Sequence, residues 1–130
     1  MNPRESALGV RLRIDLGPDS SIGPGKVALL EHIEASGSLS QAARELGMSY
    51  RRAWLLLADL NASFDAPVAR SATGGRGGGG AVLTPFGNEL VAGYRELESS
   101  LGPIAKRCLS GVRVRTAARP ARIKRKSTAT

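Results

Sequence analysis

The sequence predicts a mainly α-helical domain with a small β wing: a winged helix-turn-helix with a long C-terminal helix for dimerisation. Three observations predict it. Two short helical patterns abut across Gly47; a glycine-rich stretch, residues 73–80, lies between two short strand-like runs; and from Leu90 onward apolar residues recur at spacings of four and three. A chain of 130 residues has room for one such domain and a tail. With only 4% aromatic residues its core must be aliphatic.

Residues 8–16 come first. Leu8, Val10, Leu12, Ile14 and Leu16 alternate with Arg11, Arg13 and Asp15, the period of a half-buried strand. Residues 18–25 are a turn-rich connection, and Pro24 suits the first position of a helix because its missing N–H would have been unpaired there. That helix is expected to reach about Ser36, burying Val27, Leu29, Leu30 and Ile33, with Gly37 closing it in a left-handed conformation. Ser38-Leu39-Ser40-Gln41 matches a capping box, in which the serine accepts the amide of Gln41 and the glutamine side chain reaches back to the amide of Ser38. The helix so started buries Leu39, Ala42, Ala43 and Leu46 and ends at Gly47. Ser49 caps a third helix running to about Phe64, with Ala53, Leu56, Leu57, Leu60 and Phe64 inward.

Residues 68–71 and 81–83 are strand candidates, so the glycines between them become the tip of a hairpin. Thr84-Pro85 starts a last helix, expected at about residues 85–108. Within it Leu90, Tyr94, Leu97, Leu101, Ile104 and Cys108 form a coiled-coil seam, which Gly102-Pro103 is expected to interrupt. The organisation read from the sequence is therefore a domain at 1–109 and a disordered basic tail at 110–130; within the domain the helix-turn-helix spans about 38–64 and the wing about 67–84.

The net charge of +8 is mostly a property of that tail, which carries seven basic residues and no acid, whereas the rest holds twelve basic against eleven acidic. A polycation favours a polyanionic partner, and nucleic acid is the commonest, because each neutralised phosphate releases counterions. The single cysteine, Cys108, excludes an intrachain disulfide, and His32 stands without the Cys/His spacing of a metal site. The acids are scattered, and no Ser, His or acid constellation recommends an enzyme; no cofactor or metal is implied. Arg4, Glu5, Arg11, Arg13 and Asp15 interrupt the N-terminus, so a signal peptide or membrane span is not expected, and a cytoplasmic location is.

A helix-turn-helix needs a small residue where its helices touch, a turn glycine, and an apolar contact in the second helix. Ala43, Gly47 and Ala53 supply these in order. That geometry sets the N-terminal end of the next helix in the DNA major groove, where Ser49, Tyr50, Arg51 and Arg52 lie. Arg51 and Arg52 are the candidates for base contacts, since guanidinium groups grip guanine bidentately. Leu55 points outward and is expected to touch a thymine methyl or a partner chain, whereas Trp54 is expected to pack structurally. Ser38, Ser40 and Gln41 at the start of the preceding helix, and Thr73 and Arg76 in the wing, complete the candidate DNA-binding set. Leu90, Tyr94, Leu97, Leu101 and Ile104 are the candidate dimerisation residues. The glycine-rich segment is not a phosphate loop, because Gly80 leads into Ala81-Val82-Leu83, a strand, with no lysine and serine or threonine opening a helix.

Residues 37–50, Gly-Ser-Leu-Ser-Gln-Ala-Ala-Arg-Glu-Leu-Gly-Met-Ser-Tyr, followed by Ala53-Trp54, resemble the N-terminal domain of molybdate-responsive transcription regulators of the ModE type. Residues 72–84, Ala-Thr-Gly-Gly-Arg-Gly-Gly-Gly-Gly-Ala-Val-Leu-Thr, and then Gly87, resemble their wing and the start of the next helix. The LysR-type regulators share a looser version. The resemblance covers about residues 8–108. It implies a homodimer, partly through the last helix, on an operator of approximate two-fold symmetry. Two departures accompany it: the family's C-terminal molybdate-binding module has no room beside the basic tail, and Leu55-Leu56-Leu57-Ala58 is more apolar than the family's usual run. The expected function is sequence-specific regulation on double-stranded DNA, with a separate ligand-sensing protein as a possible partner. The alternatives are a protein-interaction module, a nonspecific architectural DNA-binding protein or, with less support, an oxyanion sensor.

Overall fold

Alternation at the start of the chain survives as burial but not as a long strand. The computed structural model describes residues 8–72 and 80–113. Across residues 8–16 exposed positions alternate with half-buried ones, as the sequence implies. Only β1 (Ile14–Asp15) is laddered, pairing antiparallel with β2 (Ser21–Ile22) across the residue 16–20 turn. The expected strand over the earlier residues is thus corrected: β2 is two residues long and offers no edge beyond Ile14.

The chain divides into two units, Arg11–Ser99 and the terminal segments Met1–Val10 with Ser100–Thr130. In the first, three helices and the two wing strands build most of the core, joined by Ile22 and Tyr94. Helix α1 (Pro24–Ser36) begins with its proline in the first turn and buries Val27, Leu29, Leu30 and Ile33. Gly37 ends it at φ 72°, its amide bonding to the Ile33 carbonyl. Helix α2 (Leu39–Glu45) buries Leu39, Ala42 and Ala43. Helix α3 (Tyr50–Ser63) buries Ala53 and Leu60, with Leu56, Leu57 and Phe64 packed against the core from its edge. The wing strands β3 (Ala69–Ser71) and β4 (Ala81–Leu83) pair antiparallel in the register Ala69↔Leu83, Arg70↔Val82 and Ser71↔Ala81. Their outer residues are fastened to the α1–α2 turn, where the Ala81 amide donates to the Gly37 carbonyl (3.1 Å) and Gly80 bridges to Ser38.

Helix α4 (Pro85–Cys108) starts at Thr84, whose Oγ1 accepts the Gly87 amide at 3.0 Å and donates to the Pro67 carbonyl at 2.7 Å. The helix continues through Gly102 and Pro103, so the expected interruption of the seam is not a helix break; Pro103 has no amide to donate to the ladder. Within the first unit Tyr94 is buried to 3% exposure and donates its hydroxyl to the Leu12 carbonyl (2.6 Å), which ties α4 to the chain entering β1. Burial raises the pKa of this phenol, and the carboxylate of Glu98 adds to the rise.

Arg95 also joins α4 to α1, forking onto both oxygens of Glu31 at 2.7 and 2.9 Å and reaching Glu98 with its third nitrogen. The hydrogen bond from Arg95 is the main reason that the pKa of Glu31 is lowered. Because the folded chain depresses this carboxyl, its contribution to stability is present above the unfolded carboxyl range and is lost as pH falls through the folded value. Glu31→Gln is therefore expected to lower the thermal midpoint at pH 7 and to narrow its gap from the parent as the pH drops below about 4. Thermal melts across that window check it, and a constant gap would remove the ion pair as the cause.

Candidate nucleic-acid interface

The α2–α3 turn closes by local hydrogen bonding alone. Gly47 sits at φ 69° and donates to the Arg44 carbonyl (3.1 Å), while the Met48 amide reaches back to Ala43 (3.0 Å); together they satisfy the end of α2 in a Schellman arrangement. Ser49 then caps α3, its Oγ accepting the Arg52 amide at 3.1 Å. Two helices therefore meet across four residues, with Ala42, Ala43 and Ala53 buried in the shared core. Small side chains there let the second helix approach the first.

This packing turns the other side of α3 to solvent. Ser49, Tyr50, Arg51, Arg52, Trp54 and Leu55 are all exposed, with Tyr50, Trp54 and Leu55 each about half so at 51%, 52% and 48%. Neither Arg51 nor Arg52 has a side-chain partner among the described residues, so both guanidinium groups stand free at the positive end of the helix dipole. Leu55 points outward as expected. Trp54 does not pack structurally, a correction to its expected role. One residue beyond the inward Ala53, it lies about 100° round the helix, on the face that carries Tyr50. The helical period that places Leu55 outward places Trp54 outward too.

The start of α2 behaves differently. Ser38 is buried to 2%, and its hydroxyl caps α2 by accepting the Gln41 amide at 3.0 Å. It is a residue of the internal turn and offers no free surface. The other half of the capping box is absent: Gln41 donates to Glu45 (3.0 Å) and accepts from Arg44 (2.7 Å), and the Ser38 amide goes to Ser36 Oγ (3.2 Å). Ser36 is nearer in sequence to that amide, and a charged donor, Arg44, outcompetes it for the glutamine's carbonyl oxygen. Glu45 also receives His32 Nδ1 at 2.7 Å, and this bond leads the causes that lower its pKa. Ser40 and Gln41 stay half-buried at the surface. Thr73 and Arg76 lie outside the described residues.

Two concavities flank α3. One, of about 470 Å³, lies between α3 and β3, with Tyr50 and Trp54 on one wall and Arg70 on the other. Arg70 is exposed and was missed from the sequence, where a lone arginine in a short strand carries no signal. The other concavity, of about 300 Å³, is lined by Lys26, Ser49, Arg51, Arg52, Leu55 and Asp59. Lys26 is engaged there, donating to Asp59 and to the Ser21 carbonyl. Among the described residues no group of three or more potential ligands could hold a metal ion, and no helix is long and apolar enough to cross a membrane.

Of the candidate dimerisation residues, Tyr94 is internal and Leu90 packs half-buried against the core, which leaves Leu97 at 40% exposure in the first unit. In the second unit Ile104 is exposed at 41% and Leu101 is half-buried.

Residues 25–88 match the family of bacterial regulatory helix-turn-helix proteins of the LysR family. The chain is 40% identical to the molybdenum-pterin-binding protein MopB of Rhodobacter capsulatus, over 77% of this chain and 41% of MopB. It is 45% identical to the DNA-binding transcriptional dual regulator ModE of Escherichia coli (strain K12), over 55% of this chain and 27% of ModE. With MopA of Rhodobacter capsulatus the identity is 42%, over 62% of this chain and 30% of MopA. The match thus spans only about a quarter to two fifths of each relative. The packed turn, the exposed basic end of α3, the two-stranded wing and these likenesses agree on a winged helix-turn-helix DNA-binding domain, similar to the LysR-family helix-turn-helix and to the ModE-type regulators.

Proposed function

We propose that the chain is a homodimeric transcriptional regulator that reads double-stranded DNA in the major groove with α3 and braces against the duplex with its wing. The observation that carries this reading is the free Arg51 and Arg52 at the exposed, serine-capped start of α3, on a helix whose opposite face is locked into the core. Guanidinium groups so placed can fork onto guanine O6 and N7 without breaking any existing bond. The dimer is supported by the four-and-three spacing on α4 and by the exposure of Leu97 and Ile104. A two-fold dimer would place half-sites about one helical turn apart. The seven basic residues after Ser110 would add sequence-independent affinity.

Selection of duplexes from a random pool on the purified protein tests this. The expected result is enrichment of an approximately palindromic sequence. Equal, salt-sensitive binding to every duplex would replace the reading with an architectural role, and no DNA affinity at all would favour a protein-binding module.

A further inference from the structure

We propose that the groove between α3 and β3 seats the sugar–phosphate backbone of one DNA strand, with Arg70 as its phosphate contact and Asn61 as the positioning residue that holds Arg70 in place. The proposal rests on the DNA-binding reading and names the part of the duplex that this surface takes.

The chemistry of the walls suits that occupant. Tyr50 and Trp54 expose half their surface on the helix side, and ring faces pack well against deoxyribose. Among the described residues that line the groove, Arg70, exposed on the strand side, is the one cation and none is a carboxylate. The neighbouring concavity is the contrast: Asp59 lies in it and already engages Lys26. Arg70 has no hydrogen-bond or ion-pair partner among the described residues, so its charge is uncompensated where the groove opens.

Asn61 determines where Arg70 stands. Its Oδ1 accepts the amides of Val68 (2.7 Å) and Ala69 (3.3 Å), and its Nδ2 donates to the Ala69 carbonyl (3.3 Å). One side chain of α3 thus grips the two residues that precede Arg70. The other edge of the strand is held by its pairing with β4, which is itself tied to the Gly37–Ser38 turn. Gripped from both edges, β3 has one distance from α3, and the groove has one width. No other side chain of α3 bonds to the wing among the described residues.

The test is the salt dependence of binding to the enriched duplex for the parent, Arg70→Gln, Asn61→Ala and the double variant. Arg70→Gln is expected to flatten the slope of log K against log salt by about 0.9, the value of one phosphate contact, and to leave base preference unchanged. Asn61→Ala is expected to flatten it by the same amount, and the double variant by no more than either alone. An unchanged slope in Arg70→Gln, an altered base preference, or additive losses in the double variant would overturn the proposal. Should Asn61→Ala not fold, as its melt would reveal, Arg70→Gln on the exposed strand still decides. A parent that binds no duplex overturns the DNA-binding reading as well; a parent that selects a sequence while Arg70→Gln matches it in slope overturns the groove alone.

Discussion

Gly87→Ala is expected to destabilise the domain by about 3 kcal/mol, the upper range for overpacking, and so to lower its thermal midpoint by roughly 12–24 °C. A β-carbon on Gly87 would stand 2.0 Å from the carbonyl oxygen of Val68 and 2.9 Å from its carbonyl carbon, inside any allowed contact. Neither partner can yield easily. The Val68 carbonyl accepts the Thr84 amide (3.0 Å), its own amide is held by Asn61, and the Gly87 amide is the one that Thr84 Oγ1 caps. Relief would have to move the first turn of α4 away from the wing and disturb these bonds together. Gly93→Ala on the same helix is the control: its position is exposed with nothing within 4 Å, and alanine there is expected to stabilise by about 0.5–1 kcal/mol through helix propensity. Thermal melts of both variants check the pair. Equal behaviour would mean that the close approach at Gly87 is not what holds α4 to the wing.

Arg51→Ala and Arg52→Ala are each expected to reduce discrimination between the selected duplex and a scrambled one by about 1–3 kcal/mol, roughly 5- to 150-fold, with little effect on the melting temperature. Stability is spared because both side chains lie outside the core and make no side-chain hydrogen bond or ion pair among the described residues. Discrimination suffers because a guanidinium that forks onto one base edge has no equivalent partner on another. Titration of both duplexes at one salt concentration separates the possibilities. A loss shared by the two duplexes would make these arginines phosphate contacts, and retention of full preference would remove α3 from the reading role.

The predictions differ in how much of them was legible before the fold. Ser49, Gly47, Gly37 and Thr84 could be assigned from sequence because capping and left-handed turns are settled within four or five residues, by bonds between neighbours. The inward stripes of α1 and α3 were legible for a similar reason, since a helical period fixes which residues share a face. Where competing neighbours were equally local, the reading failed: Gln41 had Glu45 and Arg44 within reach as well as the Ser38 amide.

Long-range contacts decided the rest. Tyr94 belongs to the apolar spacing of α4, yet the Leu12 carbonyl, eighty-two residues away, turns it inward. The outward side of α3 follows from its period, but what stands opposite depends on β3, so the groove holding Trp54 and Arg70 exists only once the wing has docked. Asn61 is the plainest case, a polar residue in a helix whose three bonds all go to the first residue of β3 and the residue before it, eight and seven positions on. By itself, then, the sequence determined the helices, the residues that start and close them, and the exposed basic end of α3, because those follow from periodicity and near-neighbour hydrogen bonding. Only the tertiary structure decided which of the remaining polar and aromatic residues face one another, because that depends on how helices and wing fill a shared core.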